Sequence, residues 1–354
     1  MANLWVALLL IVGVFTIVHS QAHQYSQTFL EENNYHDSIS EDLTVFNKGK
    51  NQVTNLIKVP KKGSSPPESF VVVSPKEDGV YPILFFIHGT MLTNEAYSEL
   101  FKFIASHGFI VVAPKLFRAF PLPSLPSHQD EINRAAAVAN WLPSNLQKIL
   151  QNNKLANVQP NFNSFAISGH SRGGKSAFAL ALGMSETKLT VKISALIGID
   201  PVAGASPDDR TKPYVLTYHD NSFKLPVPVT VIGTGLGNST IPCAPNNVSH
   251  QQFYNECKKS SHFVINKYGH MEMLDDFLLD PLAITMSVMC KQSFGPKATM
   301  RRTLGGVMVA FMNTYFRGDG GQYHAIMANP SLAPTKLFVE EKGNFGFAPN
   351  HAQA

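Results

Sequence analysis

The sequence predicts a mixed α/β chain with a mostly parallel sheet and helices packed on both of its faces. Three observations carry that reading. Runs such as "YPILFFIHG" and "FIVVAP" are apolar on both faces, as central parallel strands must be. They alternate with helical patterns such as "YSELFKFIASHG", and that alternation builds right-handed βαβ crossovers. The 354 residues are 44% apolar and 15% charged, enough for one large core, and no repeat or linker divides them.

Taken in order, the chain opens with "MANLWVALLLIVGVFTIVHSQAHQ", an uncharged apolar run from Leu4 to Val18 followed by small and polar residues. Its length suits a signal peptide over residues 1–20, cut after Ser20; a signal anchor is the alternative, because the basic start is missing. Residues 21–52 read as an irregular polar arm. The ordered pattern spans 53–342 and leaves a frayed tail at 343–354. "ESFVVVSP" and "YPILFFIHG" are strands, the next helix ends at Gly108, and "FIVVAP" is a strand. The segment Phe117 to Pro126, aromatic and rich in proline, is expected either to rim or cover an apolar cleft or to be a buried connection. A helix follows from about Asp130 to Leu150, then a strand and a short helix meeting at Ser171. "KISALIGID", "PVPVTVIG" and "HFVINKYG" complete the strands, and a helix runs from about Thr299 to Phe316. Ligands of such sheets bind at the carboxyl ends of the strands.

The net charge of +4 is small for this length, and no dense Lys/Arg stripe with interleaved aromatics is present, which argues against nucleic-acid binding. Two acceptor sequons, Asn238-Ser239-Thr240 and Asn247-Val248-Ser249, lie in a polar stretch and would be glycosylated in the secretory pathway. Of the three cysteines, Cys243 and Cys257 are the expected pair; their bridge would close about 15 residues and contribute roughly 3 kcal/mol. The cysteine spacing is not that of a zinc site, HExxH is absent, and no metal or cofactor is expected.

"FAISGHSRGGKSAFALALG" carries the chemistry. Ser171 sits where an apolar strand gives way to a helix, in the pattern Gly169-His170-Ser171-Arg172-Gly173, with Gly174 next. Small flanking residues permit a sharp elbow, and the helix N-terminus presents unpaired N–H groups to an oxyanion. A serine hydroxyl needs a base, and the base an orienting carboxylate. In α/β-hydrolases the chain order is Ser, Asp or Glu, then His. Asp200, ending "SALIGID", and His270, following "HFVIN", fit that order. Asp220 is the fallback acid, His250 and His262 are weaker bases, and Asp275 and Asp276 read as helix or surface charges. The oxyanion donors expected are the backbone N–H of Arg172 and that of Thr90 or Met91, after the turn His88-Gly89. The Arg172 side chain would meet a substrate carboxylate or pair with a nearby acid.

Together, "SGHSRGGKSAFALALG", "ALIGIDPVAG", "VIGTGLG", "PCAP", "FYNEC" and "YGHMEMLDD" resemble the plant-type chlorophyllases over roughly Val53 to Phe316. The resemblance implies an α/β-hydrolase fold and hydrolysis of the ester joining the chlorin ring to phytol, releasing chlorophyllide and phytol. It also makes Ser171 the nucleophile, Asp200 the acid and His270 the base. The leader, the long N-terminal arm, the sequons and the few cysteines near "MSVMCKQ" depart from the family pattern and turn the expected compartment toward the secretory pathway. Two other functions fit the same residues: a general lipase or polyester esterase, and a secreted pigment- or lipid-binding protein that keeps the fold without turnover.

Overall fold

A computed structural model describes residues 43–116, 126–239, 241–278 and 280–343. The leader, most of the arm, the tail beyond 343 and nearly all of the proline-rich segment read as a cleft rim or a buried connection lie outside them. Among the described residues nine strands form one sheet: β1 (Ile57–Val59), β2 (Phe70–Val73), β3 (Gly79–Ile87), β4 (Ile110–Pro114), β5 (Val158–His170), β6 (Ala195–Ile199), β7 (Val229–Thr234), β8 (Ser260–Ile265) and β9 (Leu337–Lys342). Their spatial order is β1-β2-β4-β3-β5-β6-β7-β8-β9. The six strands from β4 to β8 pair in parallel, while β1, β2 and β9 attach antiparallel at the two sides.

The helices follow from the crossovers. They are α1 (Ser98–Ser106), α2 (His128–Asn152), α3 (Arg172–Ala181), α4 (His250–Glu256), α5 (Pro281–Met289), α6 (Lys297–Arg317) and α7 (Gly321–Ala328). Side chains alternate across the sheet, so each central strand feeds two cores. Leu84 and Phe86 of β3 join α1 and α6 on one face. Ile83, Phe85 and Ile87 join α2 and α3 on the other. Each fully buried Phe or Leu contributes about 1.5–3 kcal/mol, which is why these strands carry no polar face. Ser127 caps α2 by accepting from the Asp130 N–H at 3.0 Å, so the helix starts slightly before its apolar periodicity.

Two expectations are corrected here. The last part of the stretch read as an irregular arm is docked on the core: Val45 and Phe46 are buried, the Val45 N–H donates to Gln322 Oε1, and Phe46 O accepts from Arg302 Nε. The disulfide joins Cys243 to Cys290, with Cα atoms 5.7 Å apart, and Cys257 is a buried free thiol. Cys243 packs against the core on the α1/α6 face, whereas Cys257 is part of the core on the α2/α3 face. The sheet separates the two, so short sequence spacing could not bring them together. Burial pushes the Cys257 thiol up to about 12, as expected of a cysteine used for packing.

Candidate active site

At the carboxyl end of β5 the chain turns through Ser171 at φ 58° and enters α3. The glycines make that turn fit. A Cβ on Gly169 would lie 2.2 Å from the Gly173 carbonyl oxygen, and one on Gly173 would lie 2.2 Å from the Ile87 carbonyl oxygen of β3. The elbow is also laced to β6: the Ser171 N–H donates to Ile199 O at 3.0 Å, and Ser171 O accepts from the Val202 N–H at 3.1 Å. Among the described residues, seven non-glycine positions have positive φ, and Met91, Ser171 and Asp200 are three of them. Strain of this kind costs about 1–3 kcal/mol each and gathers at functional sites.

Asp200 follows β6 and is fully buried. Its Oδ2 accepts from His270 Nδ1 at 2.7 Å and from the Thr234 hydroxyl at 2.5 Å. A carboxylate only accepts, so Nδ1 of His270 carries the proton. Nε2 is then free to accept from Ser171 Oγ, which lies 2.9 Å away. Burial raises the pKa of Asp200, but the hydrogen bond and charge of His270 outweigh it, with the charge of His250 and the Thr234 hydroxyl, and the carboxyl stays below its usual range. Ser171, Asp200 and His270 therefore form one hydrogen-bonded line.

His270 rides on the segment after β8, which is held from outside the sheet. Glu272, buried, accepts from the Gly269 N–H at 2.5 Å and from the Ser293 N–H at 2.9 Å. Cys290 of that neighbouring segment is tied by the disulfide to Cys243, in the loop that follows β7.

The loop Gly89 to Met91 abuts the serine, since a Cβ on Gly89 would lie 3.2 Å from Ser171 Cβ. Met91 adopts φ 56°, and His88 Nδ1 donates to Gly89 O at 2.9 Å. Leu116 N–H donates to the opposite nitrogen, His88 Nε2, at 3.0 Å. Arg172 is the first residue of α3, where a backbone N–H has no carbonyl behind it within the helix.

The Arg172 side chain is committed elsewhere. Its Nε donates to Glu131 Oε2 at 2.5 Å and its Nη2 to Pro126 O at 2.6 Å, and both ends of the pair are buried. Of the two roles expected for it, pairing with an acid is the one present. Lys175, one turn further along α3, is buried with Nζ bonded to Thr211 O, Thr211 Oγ1 and His128 Nδ1. Burial, then the charge of Arg172, lowers it to about 7.

The weaker candidates are engaged elsewhere. His250 and His262 bond each other at 2.8 Å, and His262 bonds Glu340 at 2.8 Å. Asp220 is exposed. Asp275 accepts from the Glu99 N–H at the start of α1, and Asp276 pairs with Arg301. Thr234, the last residue of β7, is not among the candidates read from the sequence; its hydroxyl supports the acid that follows β6. Tyr97 and Glu131, which reach the site through space from distant elements, are not among those candidates either, nor is Glu272, which lies two residues after His270 and ties its segment to Ser293. Among the described residues no group of three or more His, Cys, Asp or Glu side chains could hold a metal ion.

This strand order, with a serine elbow after β5, is the α/β-hydrolase fold. The family model named Chlorophyllase matches residues 41–343, and the chain belongs to that family. It is 66% identical over 350 residues to "Chlorophyllase type 0" of Chenopodium album, covering 98% of this chain and 99% of that protein. It is 42% identical over 303 residues to "Chlorophyllase-1, chloroplastic" of Citrus unshiu, covering 83% and 87% of the two chains. It is also 42% identical over 285 residues to "Chlorophyllase-1" of Arabidopsis thaliana, covering 79% and 86%.

Proposed function

We propose that this chain hydrolyses the ester that joins the chlorin ring of chlorophyll to phytol, by acyl transfer through Ser171. The observation that carries the reading is the line from Ser171 Oγ through His270 to Asp200, on a chain of the chlorophyllase family. His270 Nε2 takes the hydroxyl proton as Oγ attacks the ester carbonyl carbon. Charge develops on the carbonyl oxygen, and the backbone N–H of Arg172, with that of Thr90 or Met91, stabilises it. The intermediate collapses, phytol leaves with the proton held by His270, and the acyl group stays on Oγ. Water, deprotonated by His270, then attacks the acyl carbon and releases chlorophyllide. Asp200 keeps the imidazole in the required tautomer and stabilises the imidazolium.

The test is to incubate the wild type and Ser171→Ala with chlorophyll a and with a short p-nitrophenyl ester. Chlorophyllide from the wild type alone supports the assignment. Nitrophenol without chlorophyllide makes the protein a general esterase, and pigment binding without either product makes it a binding protein.

The reading extends to the secretory pathway. Asn238 and Asn247 are both exposed, and the Cys243–Cys290 bridge suits an oxidising compartment. A secreted product from a eukaryotic host, starting near Gln21 and shifted in mobility by glycosidase, is expected. An unglycosylated product inside plastids, the site named for the Citrus unshiu relative, overturns this part.

A further inference from the structure

Two histidines flank Ser171, and only one faces its hydroxyl. The ring of His170 lies 4.5 Å from that of His270 and is fully buried. Its Nε2 is 2.9 Å from the backbone oxygen of His270, and its Nδ1 is 2.8 Å from Tyr97 Oη. A carbonyl can only accept, so the proton of a neutral His170 sits on Nε2. Nδ1 must then accept, and Tyr97 donates to it. The tyrosine oxygen is left to accept the Gly89 N–H, 3.1 Å away. Every donor in the chain Gly89, Tyr97, His170, His270 is thereby matched with one acceptor, in a single direction.

Burial, then the charge of His270, holds the pKa of His170 well below its usual value, and burial raises that of Tyr97, so the chain carries no charge. A protonated His170 would lose its acceptor nitrogen and set a cation beside the ring that must itself become an imidazolium.

We infer that Tyr97 and His170 are positioning residues for this reaction: one uncharged hydrogen-bonded relay fixes the Gly89 to Met91 loop and the His270 backbone relative to each other. The inference rests on the triad reading above. It joins two parts of the machinery that lie far apart in the sequence, one after β3 and the other after β8. The loop stabilises the oxyanion only while the base stands in line with the serine, and a displacement near 1 Å can cost about a hundredfold in rate.

The experiment measures kcat and KM for a p-nitrophenyl ester, with the affinity for phenylboronic acid as a tetrahedral probe of the oxyanion site. The variants are His170→Leu, His170→Gln and Tyr97→Phe. Tyr97→Phe keeps the ring that packs on Phe86 and Phe101, and it decides the matter if His170→Leu does not fold. His170→Leu and Tyr97→Phe should each lower kcat about a hundredfold with KM within about threefold, and weaken boronate binding in parallel. His170→Gln offers a donor and an acceptor and should recover to within about fivefold of the wild type. Wild-type kcat in the Leu and Phe variants, a Gln variant no better than Leu, or boronate affinity unchanged while kcat falls would each overturn the inference. Turnover that survives in Ser171→Ala would instead sink the triad reading itself.

Discussion

The proposed nucleophile, Ser171, and the proposed acid, Asp200, are placed by the sheet, whereas the proposed base, His270, is placed by tethers. Ser171 and Asp200 follow adjacent parallel strands, and backbone hydrogen bonds between those strand ends fix their separation. His270 follows β8, two strands beyond β6, and reaches the serine only because Glu272, the disulfide-linked segment and the His170 ring hold its loop. The difference shows where tolerance lies. Damage to the sheet-built half removes the chemistry, and damage to the tethered half moves a chemically intact group.

The largest effect expected is that of Ser171→Ala, which should lower kcat about a millionfold while the fold and unfolding temperature stay near wild type. Steady-state assays alongside circular dichroism check both. Asp200→Asn should cost about ten-thousandfold in kcat, because an amide at this position favours the wrong His270 tautomer. Similar losses for Thr234→Val and Asp200→Asn would break the distinction between acid and support, since removing one neutral hydrogen bond should cost only about tenfold.

On the tethered side, Cys243→Ala with Cys290→Ala opens a sequence separation of 47 residues, for which chain entropy gives about 4 kcal/mol. Denaturant unfolding should show that loss, with kcat reduced further than the folded fraction alone explains. Unchanged kcat per folded molecule would mean that the other tethers suffice.

The smallest effect concerns Lys175. Its pKa is lowered to about 7 in the folded chain from an ordinary 10.5, so between those values the unfolded chain binds more protons. Stability should therefore rise with pH across that window and rise less in Lys175→Met. Urea unfolding of both proteins at pH 6, 8 and 10 measures it. Parallel curves would show that the lysine keeps its proton on folding.

What was legible in the sequence follows the same division. The strands, the elbow and Asp200 could be read because strand ends and tight turns leave local marks: apolar runs, closely spaced glycines, an acid before proline. His270 could be read from its strand-end position and from chain order. What escaped the sequence is contact between segments distant along the chain: Val45 and Phe46 dock on α7 and α6 through Gln322 and Arg302. Cys243 and Cys257 are close in sequence but packed against opposite faces of the sheet. Arg172 meets Glu131 because α2 packs on α3, and Tyr97 meets His170 because β3 and β5 are adjacent. Strand β9 escaped notice because only its first half is apolar: Leu337, Phe338 and Val339 are followed by Glu340, Glu341 and Lys342.

Trapping the intermediate decides whether Ser171 receives the acyl group of chlorophyll. The protein is mixed with chlorophyll a, quenched with acid within one turnover and digested, and the peptides are separated while pigment absorbance is followed. Pigment covalently attached to the peptide containing Ser171 is expected in the wild type, with none in Ser171→Ala. Chlorophyllide released at the wild-type rate by Ser171→Ala would contradict it.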